Sequence, residues 1–226
     1  VATQPGMATA QEATARTGQS SVTAIDILLE PDATMLQRAQ AANARLRTNY
    51  PKGYTLGGTH APHITVLQAY VNTTDLDKVY VAAGKVFATE SPTSWKLDAV
   101  KYSYLPLGPI GLGTINVAPT KDVLRLQRKL IDAITPFTAP TGSAAAFVTT
   151  PEDPDIVAPL IPYVANFARE RAGDRYTPHV TVGIGTIAFW DAMLAEPFET
   201  FTFSPAGASV YQPGNYGTAM MLLHSC

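Results

Sequence analysis

The chain has 226 residues, 46% of them apolar and 15% charged, with a formal net charge of −2. This composition predicts a folded globular protein, and the balanced charge argues against a basic surface that binds long nucleic acids non-specifically. The single cysteine, Cys226, excludes an intrachain disulfide and a cysteine-based zinc cluster, and no apolar run is long enough to span a bilayer.

Residues 1–21 are rich in alanine, threonine, glutamine and serine. They predict a flexible polar tail ahead of a single domain over 22–226. The polar character of this leader favours an exported, periplasmic protein, with a cytoplasmic location as the alternative.

The first half of the domain predicts alternating strands and helices. A β-branched and apolar run over 21–30 indicates a strand, and Asp32 is a suitable N-cap for a helix over 32–50. After a loop that contains several glycines, we expect a second strand over 62–71 and a second helix over 74–89.

The second half begins with two strands and a helix, followed by a proline-rich segment over 138–159. We expect this segment to be a long irregular loop or lid. The other expected elements are strands over 94–105 and 111–118, a helix from Thr120 to Pro136, a helix over 159–172, a strand over 178–186, a short helix around Trp190, and strands near 199–211 and 217–224. This order is consistent with an α+β protein of two antiparallel-sheet lobes.

One five-residue stretch occurs twice, at an offset of 179 − 63 = 116 residues, as Pro62-His63-Ile64-Thr65-Val66 and Pro178-His179-Val180-Thr181-Val182. Side chains alternate between the two faces of a strand, so each copy presents a histidine and a threonine on one face. The branched residues between them lie on the other face, where they can anchor the strand in a core. For a single copy, ordinary packing is the simpler explanation, but packing gives no reason to repeat both polar residues.

Two such strands could bring two imidazoles and two hydroxyls to one cleft, an arrangement suited to phosphodiester chemistry. The imidazole pKa lies near ~6.5, so one histidine can accept a proton from the attacking hydroxyl while the other donates one to the leaving oxygen. The hydroxyls of Thr65 and Thr181 can donate to the non-bridging phosphate oxygens. This scheme requires no metal and no cofactor.

The paired His-x-Thr-x motifs, with proline before each histidine, resemble the signature of the 2H phosphoesterase superfamily. That superfamily includes the 2′-5′ RNA ligase-like proteins and cyclic nucleotide phosphodiesterases. The resemblance covers roughly residues 22–226 and implies a bilobal, pseudo-two-fold α+β fold. In that fold, two antiparallel sheets with flanking helices surround a central cleft. It further implies that His63 and His179 are catalytic and that Thr65 and Thr181 bind phosphate.

Other side chains near the motifs are weaker candidates. Tyr54, Tyr176 and Tyr211 could stack on a base, and Arg175 could pair with a phosphate, although ordinary packing and surface ion pairing explain them as well. His60 lies three residues before His63, but a glycine-rich loop entering a strand is a poor setting for a metal pair. After Thr181, alternation would also place Gly183 and Gly185 on the cleft face and keep it open.

These observations predict a metal-independent phosphoesterase that acts on a 2′,3′-cyclic phosphate or a 2′-5′ phosphodiester. A nucleotide- or RNA-binding module without turnover and an RNA 2′-5′ ligase-like enzyme remain alternatives. We expect a small nucleotide or RNA end as substrate, no membrane association, no extended nucleic-acid surface, and a monomer.

Overall fold

The computed structural model describes residues 20–226. The tail predicted over 1–21 lies outside the described residues, apart from Ser20 and Ser21. These two residues are bound to the start of the helical segment after the second strand. Thr73 donates its hydroxyl to the Ser20 carbonyl at 2.7 Å and its amide to the Ser21 carbonyl at 2.9 Å.

Helices and strands alternate along the described chain in the order expected of an α+β protein. The helices are α1 (Ala33–Asn49), α2 (Leu76–Phe87), α3 (Lys121–Ile134), α4 (Leu160–Glu170) and α5 (Ile187–Ala195). The strands are β1 (Val22–Pro31), β2 (Ile64–Asn72), β3 (Leu97–Leu107), β4 (Ile110–Val117), β5 (Thr138–Ala139), β6 (His179–Thr186), β7 (Phe201–Phe203), β8 (Pro205–Pro213) and β9 (Ala219–Ser225).

The strands form two antiparallel lobes that meet at the two motif strands. One lobe has the order β2-β1-β8-β9, with β5 also on β2, and the other has the order β7-β3-β4-β6. A single antiparallel pair, Ile64 with Val180, joins β2 to β6 and makes the two lobes one continuous sheet. The two copies of the repeated motif therefore lie side by side at the centre of the molecule.

The strand expected over 199–211 is divided between the lobes at Ser204. Its first part, β7, pairs with β3, whereas its second part, β8, pairs with β1. Asp32 holds the crossing point, because its amide donates to the Ser204 carbonyl at 3.0 Å and its Oδ2 accepts from the Ser204 amide at 2.8 Å.

Asp32 also caps helix α1, as its position in the sequence predicts. Its Oδ1 accepts from the amides of Thr34 and Met35 at 3.0 and 3.2 Å.

Asp32→Ala removes the helix cap and the hydrogen bond from the Ser204 amide to the Asp32 side chain, so we expect a loss of about 1–2 kcal/mol in the free energy of unfolding. Urea denaturation would measure it. Asp155→Ala, which removes an exposed carboxylate from the loop before α4, should change stability by less than about 0.5 kcal/mol. Equal effects of the two substitutions would contradict the capping role.

The proline-rich segment over 138–159 is attached to the first lobe along its length. It begins with β5, which pairs with β2, and the buried Ala146 and Phe147 pack in a cluster with Tyr70. Near its end, the Val157 amide donates to Asn215 Oδ1 at 2.9 Å. The segment is therefore a packed connection whose last residues reach the cleft, rather than a loop that is free along its whole length. No helix in the described part of the chain is long and apolar enough to cross a membrane.

Candidate active site

The two motif strands present their polar residues on one face, as the sequence predicts. Ile64, Val66, Val180 and Val182 are at most 1% exposed and belong to the main core. His63, Thr65, His179 and Thr181 all line one cleft of about 430 Å³ between the lobes. The strands are antiparallel at the Ile64–Val180 pair, so His63 lies on the side of Thr181, and Thr65 lies on the side of His179. The arrangement is close to two-fold symmetric.

Both imidazoles are held by the same backbone contact. His63 Nδ1 lies 2.8 Å from the Ala61 carbonyl, and His179 Nδ1 lies 2.8 Å from the Thr177 carbonyl. A carbonyl oxygen can only accept, so Nδ1 of each ring carries a proton. This bond orients each ring and leaves Nε2 as the nitrogen available for proton transfer.

A buried carboxylate breaks the symmetry of the site. Asp26, on β1, is fully buried, and its Oδ2 accepts from Thr65 Oγ1 at 2.7 Å and from Gln68 Nε2 at 2.8 Å. The same oxygen lies 3.4 Å from His63 Nε2. Oδ1 of Asp26 is buried and has no hydrogen-bond partner within residues 20–226. No equivalent carboxylate is recorded against His179 or Thr181 in that range.

The two histidines consequently differ in their affinity for a proton. Burial opposes the charge on His63, but the contact with Asp26 and the charge of its carboxylate outweigh burial and raise the pKa of His63 above 6.5. Burial lowers the pKa of His179, and the nearby His63 and Arg171 add to that effect. The bond to the Thr177 carbonyl and the more distant charge of Asp26 act in the opposite direction without reversing it. The pair thus has a proton donor on one side and a proton acceptor on the other.

A polar network on β3 and β4 extends the site beside His179. Asn116 is the partner of His179 across β4 and β6. Its Oδ1 accepts from Ser103 Oγ at 2.7 Å and from Thr114 Oγ1 at 2.9 Å. These two bonds fix the orientation of the amide, whose NH₂ group can donate to a ligand in the cleft.

The rest of the lining is mainly apolar and carries little charge. Leu105, Leu107 and Leu112, from β3 and β4 of the second lobe, form an apolar ledge in the lining. Val157, Pro159 and Leu160 are apolar lining residues that the first lobe contributes. Arg171 supplies the one lysine or arginine side chain in the lining, and its guanidinium lies 5.4 Å from the centre of the Tyr163 ring. The lining suits an apolar ring and a single negative charge.

The three tyrosines considered from the sequence lie outside this lining. Tyr176 is 5% exposed, and its hydroxyl donates to the Thr65 carbonyl at 2.6 Å. The hydroxyl of Tyr54 is buried, and its ring stacks on His60 with centroids 4.8 Å apart. Tyr211 lies on β8 opposite Asp26, one strand further from the motif strand β2. Packing therefore accounts for Tyr54 and Tyr176, and the tyrosines that line the cleft are Tyr104, Tyr163 and Tyr216.

The structure also decides two further expectations about neighbouring residues. Arg175 is exposed and donates to the Arg169 carbonyl, which agrees with the surface role considered for it, and the cation that lines the cleft is Arg171. Gly183 and Gly185 face the core rather than the cleft, because a Cβ on Gly183 would lie 2.6 Å from Asn43 Nδ2 and one on Gly185 would lie 2.8 Å from Leu46.

A β-bulge explains why alternation failed after Thr181. Thr114 pairs with Thr181 and Gly113 with Gly183, so Val182 is an extra residue in β6. Asn43 on α1 accompanies the bulge, since its Nδ2 donates to the Val182 carbonyl at 2.8 Å. The bulge exchanges the faces of β6 beyond the motif.

The described residues contain no group of three or more histidine, cysteine or acidic side chains placed to hold a metal ion. His60 stacks on Tyr54, and its Nδ1 lies 3.1 Å from Thr59 Oγ1. His224 stacks on Tyr80 with centroids 5.0 Å apart. Neither of these histidines lines the cleft.

Comparison with known proteins gives similarity in structure but not in sequence. No family model matches the sequence, and no curated protein matches it. The fold is similar to the crystal structure of TT0787 of Thermus thermophilus, with a TM-score of 0.55 and 11% identity over 90% of this chain and 96% of that chain.

Two other solved structures match over most of their length. The first is E. coli LigT in its apo form, with a TM-score of 0.41 and 11% identity; the match covers 92% of this chain and 98% of that chain. The second is Kluyveromyces marxianus Usb1, with a TM-score of 0.43 and 7% identity; the match covers 90% of this chain and 98% of that chain. The similarity to TT0787 confirms the fold that the resemblance to 2H phosphoesterases implies.

Proposed function

We propose that this chain is a 2H phosphoesterase that hydrolyses a 2′,3′-cyclic phosphate or a 2′-5′ phosphodiester of a nucleotide or RNA end. The observation that carries the proposal is that both His-x-Thr motifs face one cleft, with each imidazole held through Nδ1 by a backbone carbonyl. In both rings Nδ1 is occupied by this bond, and all four motif side chains line the same cleft, which supports a role for the two Nε2 atoms in proton transfer. Core packing alone does not require it.

The proposed reaction needs one proton acceptor and one proton donor. One imidazole takes a proton from water as the water oxygen forms a bond to phosphorus. The other imidazole gives a proton to the sugar oxygen as its bond to phosphorus breaks. The product is a phosphomonoester when the substrate is a cyclic phosphate, and a strained five-membered ring makes that substrate reactive once it is positioned.

The lining favours a small substrate over a long polynucleotide. A cleft of about 430 Å³ has the size of a site for a small ligand, and Arg171 is the one lysine or arginine that lines it. Binding along a polyanion would draw on several phosphate contacts from basic side chains. The ledge formed by Leu105, Leu107 and Leu112 offers an apolar surface for a nucleobase or ribose.

The threonines take different parts in the proposal. No hydrogen-bond partner is recorded for Thr181 Oγ1 within residues 20–226, so this hydroxyl is available to donate to a phosphate oxygen, beside the amide of Asn116. The Thr65 hydroxyl donates to Asp26. Phosphate binding by Thr65 would require that hydroxyl to turn from the carboxylate towards the ligand.

The direct test is hydrolysis of a panel of 2′,3′-cyclic mononucleotides and 2′-5′ dinucleotides in the presence of EDTA. We expect the wild type to convert a 2′,3′-cyclic mononucleotide to a nucleoside monophosphate, or a 2′-5′ dinucleotide to one nucleoside and one nucleoside monophosphate. Product analysis by chromatography would identify which bond is broken. The double variant His63→Ala/His179→Ala, purified in parallel, controls for a contaminating nuclease, and His224→Ala controls for loss of a histidine outside the cleft.

Three outcomes would contradict this function. Turnover that is equal in the wild type and the double variant would remove the two histidines from the chemistry. Activity that disappears in EDTA and returns with a divalent metal would exclude the proposed mechanism. Binding of the same nucleotides without any turnover would favour a binding module instead.

A further inference from the structure

We propose that Asp26 is a positioning residue that makes His63 the general acid of this site and leaves His179 as the general base. The inference rests on the proposed function for its chemical meaning, and the sequence motifs do not contain it. It assigns different roles to two histidines that the motifs leave equivalent.

Both nitrogens of the His63 ring face hydrogen-bond acceptors. Nδ1 lies 2.8 Å from the Ala61 carbonyl, and Nε2 lies 3.4 Å from Asp26 Oδ2. Oδ2 already accepts hydrogen bonds from Thr65 Oγ1 and Gln68 Nε2, so it presents acceptor character to the imidazole too. An imidazole with acceptors at both nitrogens is satisfied only as the doubly protonated cation.

The His179 ring lacks that second acceptor. Its Nδ1 lies 2.8 Å from the Thr177 carbonyl, and for Nε2 no acceptor is recorded anywhere in residues 20–226. A neutral ring with its proton on Nδ1 satisfies this environment and leaves the lone pair of Nε2 in the cleft. That lone pair can accept a proton from water.

Asp26 is placed to impose this difference without touching the substrate. It is fully buried beneath the side chains of Thr65 and Gln68, which line the cleft, and it is not itself part of the lining. Because its carboxylate is shielded from solvent, its effect on an imidazole 3.4 Å away is larger than that of a surface ion pair. The long Nε2–Oδ2 separation leaves the Nε2 proton free to form a shorter bond to a leaving oxygen.

The other charged and titratable groups around the site add to this difference. The positive charges of His63 and Arg171 both oppose protonation of the His179 ring. The charge of Asp26 also reaches His179 and favours its protonation, but this effect is smaller than that of His63, and the pKa of His179 is lowered on balance. Burial raises the pKa of Tyr163 and of Tyr176, and the negative charge of Asp26 adds to the increase. Both tyrosines are therefore neutral near pH 7 and add no negative charge beside the histidines. The charged and titratable groups that surround the imidazole pair are Asp26 from β1, Tyr163 from α4, Arg171 after α4, and Tyr176 before β6.

The proposed step then has a defined direction. His179 Nε2 removes a proton from water, the water oxygen bonds to phosphorus, and the bond from phosphorus to the sugar oxygen breaks. That oxygen takes the Nε2 proton of His63. After the step His179 carries the extra proton and His63 has lost one, and exchange with solvent restores the starting state.

The first experiment measures protonation in the wild type. Long-range ¹H–¹⁵N spectra of the imidazoles at pH 7 should show both nitrogens of His63 protonated, whereas His179 should show a proton on Nδ1 alone. The variants His60→Ala and His224→Ala assign the remaining rings. A neutral His63 or a doubly protonated His179 at pH 7 would overturn the proposal, and this readout needs no substrate.

The second experiment measures the pH dependence of kcat and KM for Asp26→Asn on the substrate found in the panel. The general acid must be protonated, so its titration sets the alkaline limb of the wild-type profile. Loss of the carboxylate charge should move that limb about one unit lower, which lowers kcat about tenfold on the alkaline side. KM should change little, because Asp26 does not reach the substrate.

The matched control is Glu30→Gln on the same strand. Glu30 Oε1 accepts from Ser209 Oγ at 2.6 Å, and Glu30 does not line the cleft, so this variant should keep the wild-type profile. An unchanged alkaline limb in Asp26→Asn, or a higher rate at the pH optimum, would overturn the assignment, since a higher rate means that His63 works best as a base. Absence of any wild-type turnover would contradict the proposed function, while the spectra would still decide the protonation states.

Discussion

Replacing either His63 or His179 with alanine is expected to lower kcat by about 10²–10⁴-fold, which is the range of a single general acid or base. Each imidazole has a different part in one proton-transfer step, so loss of either leaves that step without a donor or without an acceptor. We further expect the double variant to be little worse than the poorer single variant, because residues that act as a unit are not additive. Initial rates on the best substrate of the panel would measure both effects.

The two single variants should differ in their dependence on the leaving group. A 4-nitrophenolate leaves without being protonated, so a 4-nitrophenyl phosphodiester needs the base more than the acid. We expect His63→Ala to recover most of its lost rate on such an ester and His179→Ala to remain impaired. His224→Ala, which alters a ring that stacks on Tyr80, should behave as the wild type on both substrates.

Thermal unfolding must accompany these measurements. His63 is buried beside the Asp26 carboxylate, and its loss also removes a partner from that charge. His63→Gln keeps a hydrogen-bonding side chain and would show whether the lost rate follows stability or chemistry. Activity within about tenfold of the wild type in a folded His63→Ala or His179→Ala protein would remove that histidine from the mechanism.

Local rules predicted the helices and the faces of the motif strands well. Asp32 and Thr120 are the N-caps of α1 and α3, as their side chains suggested, because a cap depends on residues within one helical turn. The alternation over His63-Ile64-Thr65-Val66 is confirmed for the same reason. These features depend on neighbours along the chain, which a sequence displays directly.

The groups that distinguish the two halves of the site depend on strand order. Asp26 stands in the apolar run Ala24–Leu29, and a lone carboxylate in such a run is the one signal that could have drawn attention to it. Asn116 reaches His179 only because β4 pairs with β6, and Arg171 reaches the cleft only because α4 packs against the first lobe. The bulge at Val182 changed the face of Gly183, and the one local signal for it is the glycine itself, which adopts a φ of 132° inside the strand.

Gly113→Ala is expected to destabilise the protein by about 3 kcal/mol, at the upper end of the range for overpacking a core. Trp190 on α5 is fully buried, and its Nε1 donates to the Gly111 carbonyl at 3.0 Å. A Cβ on Gly113 would lie 1.6 Å from Trp190 Cζ2 and 2.0 Å from Cη2, so the ring or β4 must move. For a chain of this size, the expected fall in Tm is roughly 6–12 °C.

Gly84→Ala is the matched control for this substitution. Gly84 lies inside α2, and a Cβ there would meet no heavy atom within 4 Å, so alanine should stabilise the protein by about 0.5–1 kcal/mol through its higher helix propensity. Similar effects of the two substitutions would contradict the packing argument.

The double variant Gly113→Ala/Trp190→Phe tests whether the indole ring is the cause. Phenylalanine lacks the outer ring atoms that the new Cβ would meet, so the cost of Gly113→Ala should fall by at least about 1 kcal/mol in that background. Equal costs in the two backgrounds would place the strain elsewhere in β4.

Thr114 and Asn116 follow Gly113 on the same strand and line the cleft beside His179, so a shift of β4 should also lower turnover. The glycine that accommodates Trp190 in the core thereby holds one wall of the proposed active site in position.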